Sequence, residues 1–139
     1  SIDVIDVAEG KVTDRLTDID DPEIFAIGPD GKHLYISNED DAQFTIYDIG
    51  EKKIVSQVDV GQEPEGVLVT PDGKTAYVTS EVANMVHRVN LDSHEIDANI
   101  VVGNRPRRFA LSADGNTLWV TNELSGSVFV NFMPNIFFI

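Results

Sequence analysis

A unit of 42 residues runs three times through this chain. Pro29-Asp30-Gly31 returns as Pro71-Asp72-Gly73 and as Ala113-Asp114-Gly115. Tyr35-Ile36-Ser37-Asn38 returns as Tyr77-Val78-Thr79-Ser80 and as Trp119-Val120-Thr121-Asn122, while Pro22, Pro64 and Pro106 keep the same step. Self-similarity at a fixed period restricts a chain to architectures in which one small unit packs against copies of itself. The content of the unit narrows this further. It is built from short runs rich in β-branched and aromatic residues, separated by turn residues, as strands require.

Four strands can be read in each unit. An inner run, Gly66–Thr70 with equivalents Ile24–Gly28 and Arg108–Ser112, is apolar enough to be buried on both faces. Pro-Asp-Gly then makes a tight turn, with Pro presetting φ, Asp capping through its side chain and Gly supplying positive φ. A second strand follows at Leu34–Asn38, Ala76–Ser80 and Leu118–Asn122. The third is Gln43–Asp48, Met85–Asn90 and, at the start of the chain, Ile2–Asp6. In the fourth, Ile54, Ser56 and Val58 face one way and Val55, Gln57 and Asp59 the other, which predicts an outer edge strand with one wet face. Four-stranded antiparallel units at this period predict an all-β fold, a β-propeller with about three blades per chain. The blade boundaries fall near residues 19/20, 61/62 and 103/104 of one domain spanning 1–139.

Three blades cannot close a ring, since the smallest propellers have about four. The opening segment lacks inner strands and the closing unit lacks an outer one. Two chains forming a six-bladed ring, a fragment of a larger propeller, or an open arc capped by another protein all satisfy this pattern. Ser1 opens inside a repeat, which reads as a processed or truncated product. The repeat holds to Val130. The tail 131–139 departs from it and reads either as an improvised outer strand after a turn at Pro134-Asn135 or as a truncation scar.

The formal charge is −14, from 10 basic and 24 acidic residues. That excess disfavours nucleic acid and anionic membrane and favours basic partners. No run of apolar residues is long enough to span a membrane. There is no cysteine, which excludes disulfides, thiol nucleophiles and Cys-type zinc sites. His33, His87 and His94 do not repeat and share no face, so no metal set is read from them, and nucleophile elbows, phosphate loops and dinucleotide fingerprints are absent. No catalytic residue and no cofactor is assigned. The aromatic series Tyr35, Tyr77 and Trp119 is expected to be inter-blade core.

The most distinctive polar feature is Glu39, Glu81 and Glu123, in register after the second strand. The crossing segments that open on the same rim carry Asp21 and Glu23, then Glu63 and Glu65, then Arg105, Arg107 and Arg108. These residues form a candidate ligand- or partner-binding rim: a collar holding a cation among the glutamates or an anion against the arginines. Two structural alternatives stand beside it. The arginines could pair with neighbouring glutamates and lock blade to blade, or the glutamates could accept backbone N–H bonds in their loops.

The Pro-Asp-Gly turns, Tyr77-Val78-Thr79-Ser80, Trp119-Val120-Thr121-Asn122 and Val60–Val67 together resemble the YVTN-type β-propeller repeat of surface-layer and extracytoplasmic propellers. Ser37-Asn38-Glu39, Ser80-Glu81, Asn122-Glu123 and Gly103–Ala110 resemble, more narrowly, the periplasmic propellers associated with pyrroloquinoline-quinone-dependent catabolism. The resemblance implies a periplasmic or cell-surface location, and a rigid propeller whose loops carry function, with no catalytic set converging on its channel, reads as a non-catalytic binding or scaffold module. A c-type cytochrome or another basic protein is then a fitting partner. Part of a propeller enzyme or cofactor-bearing oxidoreductase, or a surface-layer structural protein, remain open alternatives.

Overall fold

A computed structural model describes residues 1–132, so the sequence expectations for 133–139 lie outside the described residues. Among the described residues there are thirteen strands and no helix: β1 (Ile2–Asp6), β2 (Lys11–Leu16), β3 (Pro22–Ile27), β4 (His33–Asn38), β5 (Gln43–Asp48), β6 (Lys53–Asp59), β7 (Pro64–Val69), β8 (Thr75–Ser80), β9 (Met85–Asn90), β10 (Glu95–Val101), β11 (Pro106–Leu111), β12 (Thr117–Asn122) and β13 (Ser127–Phe132). They form a two-stranded sheet β1-β2, a first blade β3-β4-β5-β6, a second blade β7-β8-β9-β10 and a third blade β11-β12-β13. All pairings are antiparallel, and the described residues do not close a ring. The strand order therefore matches the one expected from the repeat. The inner strands begin two residues earlier than predicted, at the prolines themselves, because the first residue of a strand needs no ladder N–H.

The predicted turn chemistry is present in each blade. Gly31, Gly73 and Gly115 have φ near +70° and donate their N–H to the carbonyls of Gly28, Thr70 and Ser112, each at 2.9 Å. Asp30, Asp72 and Asp114 accept from the N–H of Lys32, Lys74 and Asn116 at 2.8–3.1 Å. Left-handed backbone also recurs elsewhere at the 42-residue step: Gly10, Lys52 and His94; Asp21, Glu63 and Arg105; Ala42, Asn84 and Gly126. At Ala42 the Cβ is a liability, since Gly126 fills the same place without one. Ala42→Gly is expected to raise stability by about 1 kcal/mol, or ~4 °C in melting temperature, measured by thermal denaturation.

Three cores lie between sheets. Ile2 and Leu16 of the opening pair pack with Ile19 against Leu34, Ile36 and Tyr47 of the first blade. Tyr35, Phe44, Ile46 and Val58 of the first blade meet Ala76, Val78, Val89 and Leu91 of the second. Tyr77 and Val86 of the second meet Leu118 and Val120 of the third. Forward faces carry Tyr35, Phe44 and Tyr77, and the rear faces they meet on the second and third blades centre on Ala76, Val78, Val89 and Leu91 and on Leu118 and Val120, so that the two interlock. In β6, Ile54, Ser56 and Val58 turn inward while Val55, Gln57 and Asp59 are exposed, as the alternation predicted.

Two expectations need correction. Trp119 is 43% exposed, whereas Tyr35 and Tyr77 are 6% and 2% exposed, because among the described residues nothing covers the forward face of the third blade. Burial of the inner strands on both faces is likewise incomplete. Phe25 and Ile27 on β3 are exposed because the opening sheet, among the described residues, is only the pair β1-β2 and lays no inner strand against them. The inner strand with neighbouring blades on both sides, β7, is the best covered of the three.

Candidate functional site

One rim of the blades is built by a recurring backbone contact. The N–H groups of Glu39, Glu81 and Glu123 donate to the carbonyls of Asp21, Glu63 and Arg105, at 3.3, 3.0 and 2.9 Å. Each acceptor precedes the proline that opens an inner strand and has positive φ. A residue before proline is usually extended, so this geometry was not legible in the sequence. The contact sets the end of each second strand against the start of its inner strand. Glutamate and the residue 18 positions upstream are therefore paired in every blade, whatever their charges.

At the junction of the second and third blades the charges alternate. Glu81 accepts from Arg105 Nε at 2.6 Å and from Arg107 Nη1. Glu65 lies 3.1 Å from Arg107 Nη1 and 2.8 Å from Arg108 Nη1. Glu123 is 3.6 Å from the Nε of both Arg105 and Arg107. The side chains of Glu65 and Glu81 are almost wholly buried, at 6% and 4% exposed, so each carboxylate needs its cation. No arginine of this cluster is without a carboxylate partner. The arrangement is the blade-to-blade lock of the first structural alternative. The second is not seen: among the described residues no backbone N–H donates to the carboxylate of Glu39, Glu81 or Glu123.

The equivalent junction between the first and second blades has no arginine. Glu63 stands where Arg105 stands in the next repeat, Glu65 where Arg107 stands, and Glu39 takes the place of Glu81. Partial burial raises the Glu39 carboxyl above its ordinary value, and the negative charges of Glu23, Glu65, Asp21 and Glu63 push it the same way. A carboxyl raised on folding favours the fold only when protonated. That contribution is full below the unfolded value near 4.5 and is lost as pH rises through the folded value. Glu39→Gln is therefore expected to melt higher than the parent at pH 7 and equally at pH 4, tested by thermal scans at both.

Two grooves follow the same repeat. One of about 550 Å³ is lined by Glu63, Glu81, Asn84 and Arg105, with Val82 and Leu124 on its flanks. The other, about 340 Å³, is lined by Glu39, Asp40, Ala42, Gln62 and Glu63. The first holds its own guanidinium. The second presents carboxylates and an amide with no cation.

The histidines serve the fold. His87 is buried, accepts the Gly61 N–H at Nε2 (3.0 Å) and bonds Asn99 Oδ1 through Nδ1 (2.6 Å). His33 bonds Asp30 at 2.7 Å, and His94 occupies a left-handed turn. Among the described residues no group of three His, Cys, Asp or Glu is placed to hold a metal ion, and no helix is long and apolar enough to cross a membrane. Asn122 Oδ1 is buried without a partner. Its counterpart in the first blade, Asn38 Oδ1, accepts from Thr45, and the third blade has Phe129 at that place.

No family model matches the chain, and no curated protein matches it. Among solved structures it is similar to hydrazine synthase from Kuenenia stuttgartiensis, with a TM-score of 0.72 and 33% sequence identity. The match covers 79% of this chain and 31% of that one, so the present chain spans about a third of the structure whose fold it shares.

Proposed function

We propose that this chain is a non-catalytic binding or scaffold module, periplasmic or at the cell surface, whose acidic rim docks a basic protein. The supporting observation is the arginine-free junction. Glu39 sits among Asp21, Glu23, Glu63 and Glu65 with a raised carboxyl and an open groove beside it. An incoming Lys or Arg relieves that repulsion, much as Arg105 and Arg107 do one repeat later. The YVTN-type resemblance supports the extracytoplasmic setting, and a c-type cytochrome of basic surface is a partner of the required charge.

A cytochrome c and an acidic protein of similar size serve as paired probes in titration calorimetry. The reading expects binding of the cytochrome alone, weakening steeply with added salt. Glu39→Gln and Glu63→Gln should each lower affinity by about 3-fold, the loss of one rim charge pair. Salt-insensitive binding, or equal binding of the acidic probe, would sink it.

A second reading is favoured by the likeness to hydrazine synthase, which its name marks as an enzyme. In that reading the blades belong to a larger catalytic assembly. A chromophore or tightly bound metal in the purified protein would move the weight to it.

A further inference from the structure

Two blade faces are uncovered among the described residues, and they are complementary halves of the interface that the chain already makes twice. The forward face of the third blade carries Trp119, Thr121 and Val128. Their counterparts in the first two blades, Tyr35 and Tyr77, Ser37 and Thr79, Phe44 and Val86, are all buried under the next blade. The other open face is the inner half of the first blade's rear. Phe25 and Ile27 are exposed there, whereas the equivalent Val67 and Val69, and Phe109 and Leu111, pack on the blade before. Beside Phe25 runs a groove of about 480 Å³ between β1 and β3, lined by Ile2, Asp3, Pro22, Glu23 and Ile24. It lies on the side of β1 where a four-stranded blade carries its first and second strands.

We propose that this gap receives β11 and β12 of a second copy, head to tail. Trp119 of one copy then covers Phe25 and Ile27 of the other. The junction repeats at both ends of the pair, giving a closed two-fold ring of six blades. The fit carries a condition. β1 and β13 are repeat equivalents 126 positions apart, so both hold the third-strand place and one must leave. β13 leaves, since Ser127, Val128 and Phe129 are all exposed while Ile2 of β1 is buried against Leu16, Leu34 and Ile36. The ladder lost by β12 is restored by β1 in the same register. Thr121 comes opposite Ile2, Trp119 opposite Val4 and Thr117 opposite Asp6, because β13 now puts Val128, Val130 and Phe132 there. The rims agree in charge. Arg107 comes to face Glu23 as Glu65 faces Arg107 within the chain, while Glu123 stays beside Arg105 and Arg107.

Light scattering across a micromolar concentration series tests this. The expected mass rises to twice 15.3 kDa, and the emission of Trp119, the sole tryptophan, shifts to the blue as it does. Trp119→Arg and Phe25→Arg should each hold the mass at 15.3 kDa. Mixing the two variants should restore a dimer through the one intact junction, a result that a face-to-face pairing would not give. The chain has no cysteine, so Asp6→Cys with Thr117→Cys reports the register directly, as a disulfide-linked dimer in an otherwise unaltered protein. A mass of 15.3 kDa at every concentration, a dimer indifferent to both arginine variants, or a dimer without the cross-link would each overturn the proposal.

Discussion

Arg107→Met is expected to lower the unfolding free energy by about 3 kcal/mol, because it leaves two buried carboxylates short of their shared cation. Arg107 is the one guanidinium that touches both Glu65 and Glu81, while Arg105 and Arg108 each serve one of them. With Arg107 gone, Glu65 and Glu81, neighbours on the second blade, lose the cation they share and keep one arginine each. The methionine fills most of the volume, so the loss reports charge rather than a cavity. The double variant Arg107→Met with Glu81→Gln should be less destabilised than the sum of the single changes, with a coupling of about 1–2 kcal/mol. Urea unfolding followed by circular dichroism measures all three. A loss for Arg107→Met below about 1 kcal/mol would show that the cluster behaves as an exposed surface pair and does not lock the blades.

Gly66→Ala should cost about 2–3 kcal/mol, by separating the same two blades through their backbones. A Cβ on Gly66 would fall inside van der Waals contact with the Arg107 carbonyl of β11, 3.1 Å from Thr79 Oγ1 and 3.2 Å from the Phe109 ring. The first of these is main chain and cannot turn away. The Gly66 N–H also donates to Thr79 Oγ1 at 2.6 Å, so relief by moving β7 breaks a buried hydrogen bond. Moving β11 instead carries Arg107 away from Glu81. Gly50→Ala is the control, since a Cβ there meets only Asp48 Oδ1 at 3.5 Å and should be near neutral. Equal melting temperatures for the two variants would contradict this account of the junction.

The rim was legible in part. Glu39, Glu81 and Glu123 could be found because a 42-residue repeat puts equivalent residues at equivalent places, and the structure fixes them through one backbone contact per blade. Whether each glutamate meets a cation depends on the residue at the start of the inner strand. There the repeat carries Asp21, Glu63 and Arg105, two carboxylates and one guanidinium. Sequence named both charge groups. Only their placement across a junction revealed that the arginines are consumed by Glu65 and Glu81 while Glu39 is left among carboxylates.

Strands, turns and their order are local matters. Pro-Asp-Gly dictates a turn by its own φ preferences, and alternation in Ile54–Asp59 dictates a half-wet strand. Three copies of the same signals therefore suffice to write the whole blade pattern from the residues alone. What covers a blade is not local. Tyr77 and Trp119 occupy the same register of the same unit, yet one is buried and the other open, because burial is conferred by the neighbour that follows and not by the residue itself. The chain's own letters thus set each blade, and the packing of one blade on the next decided which surfaces remain free to bind.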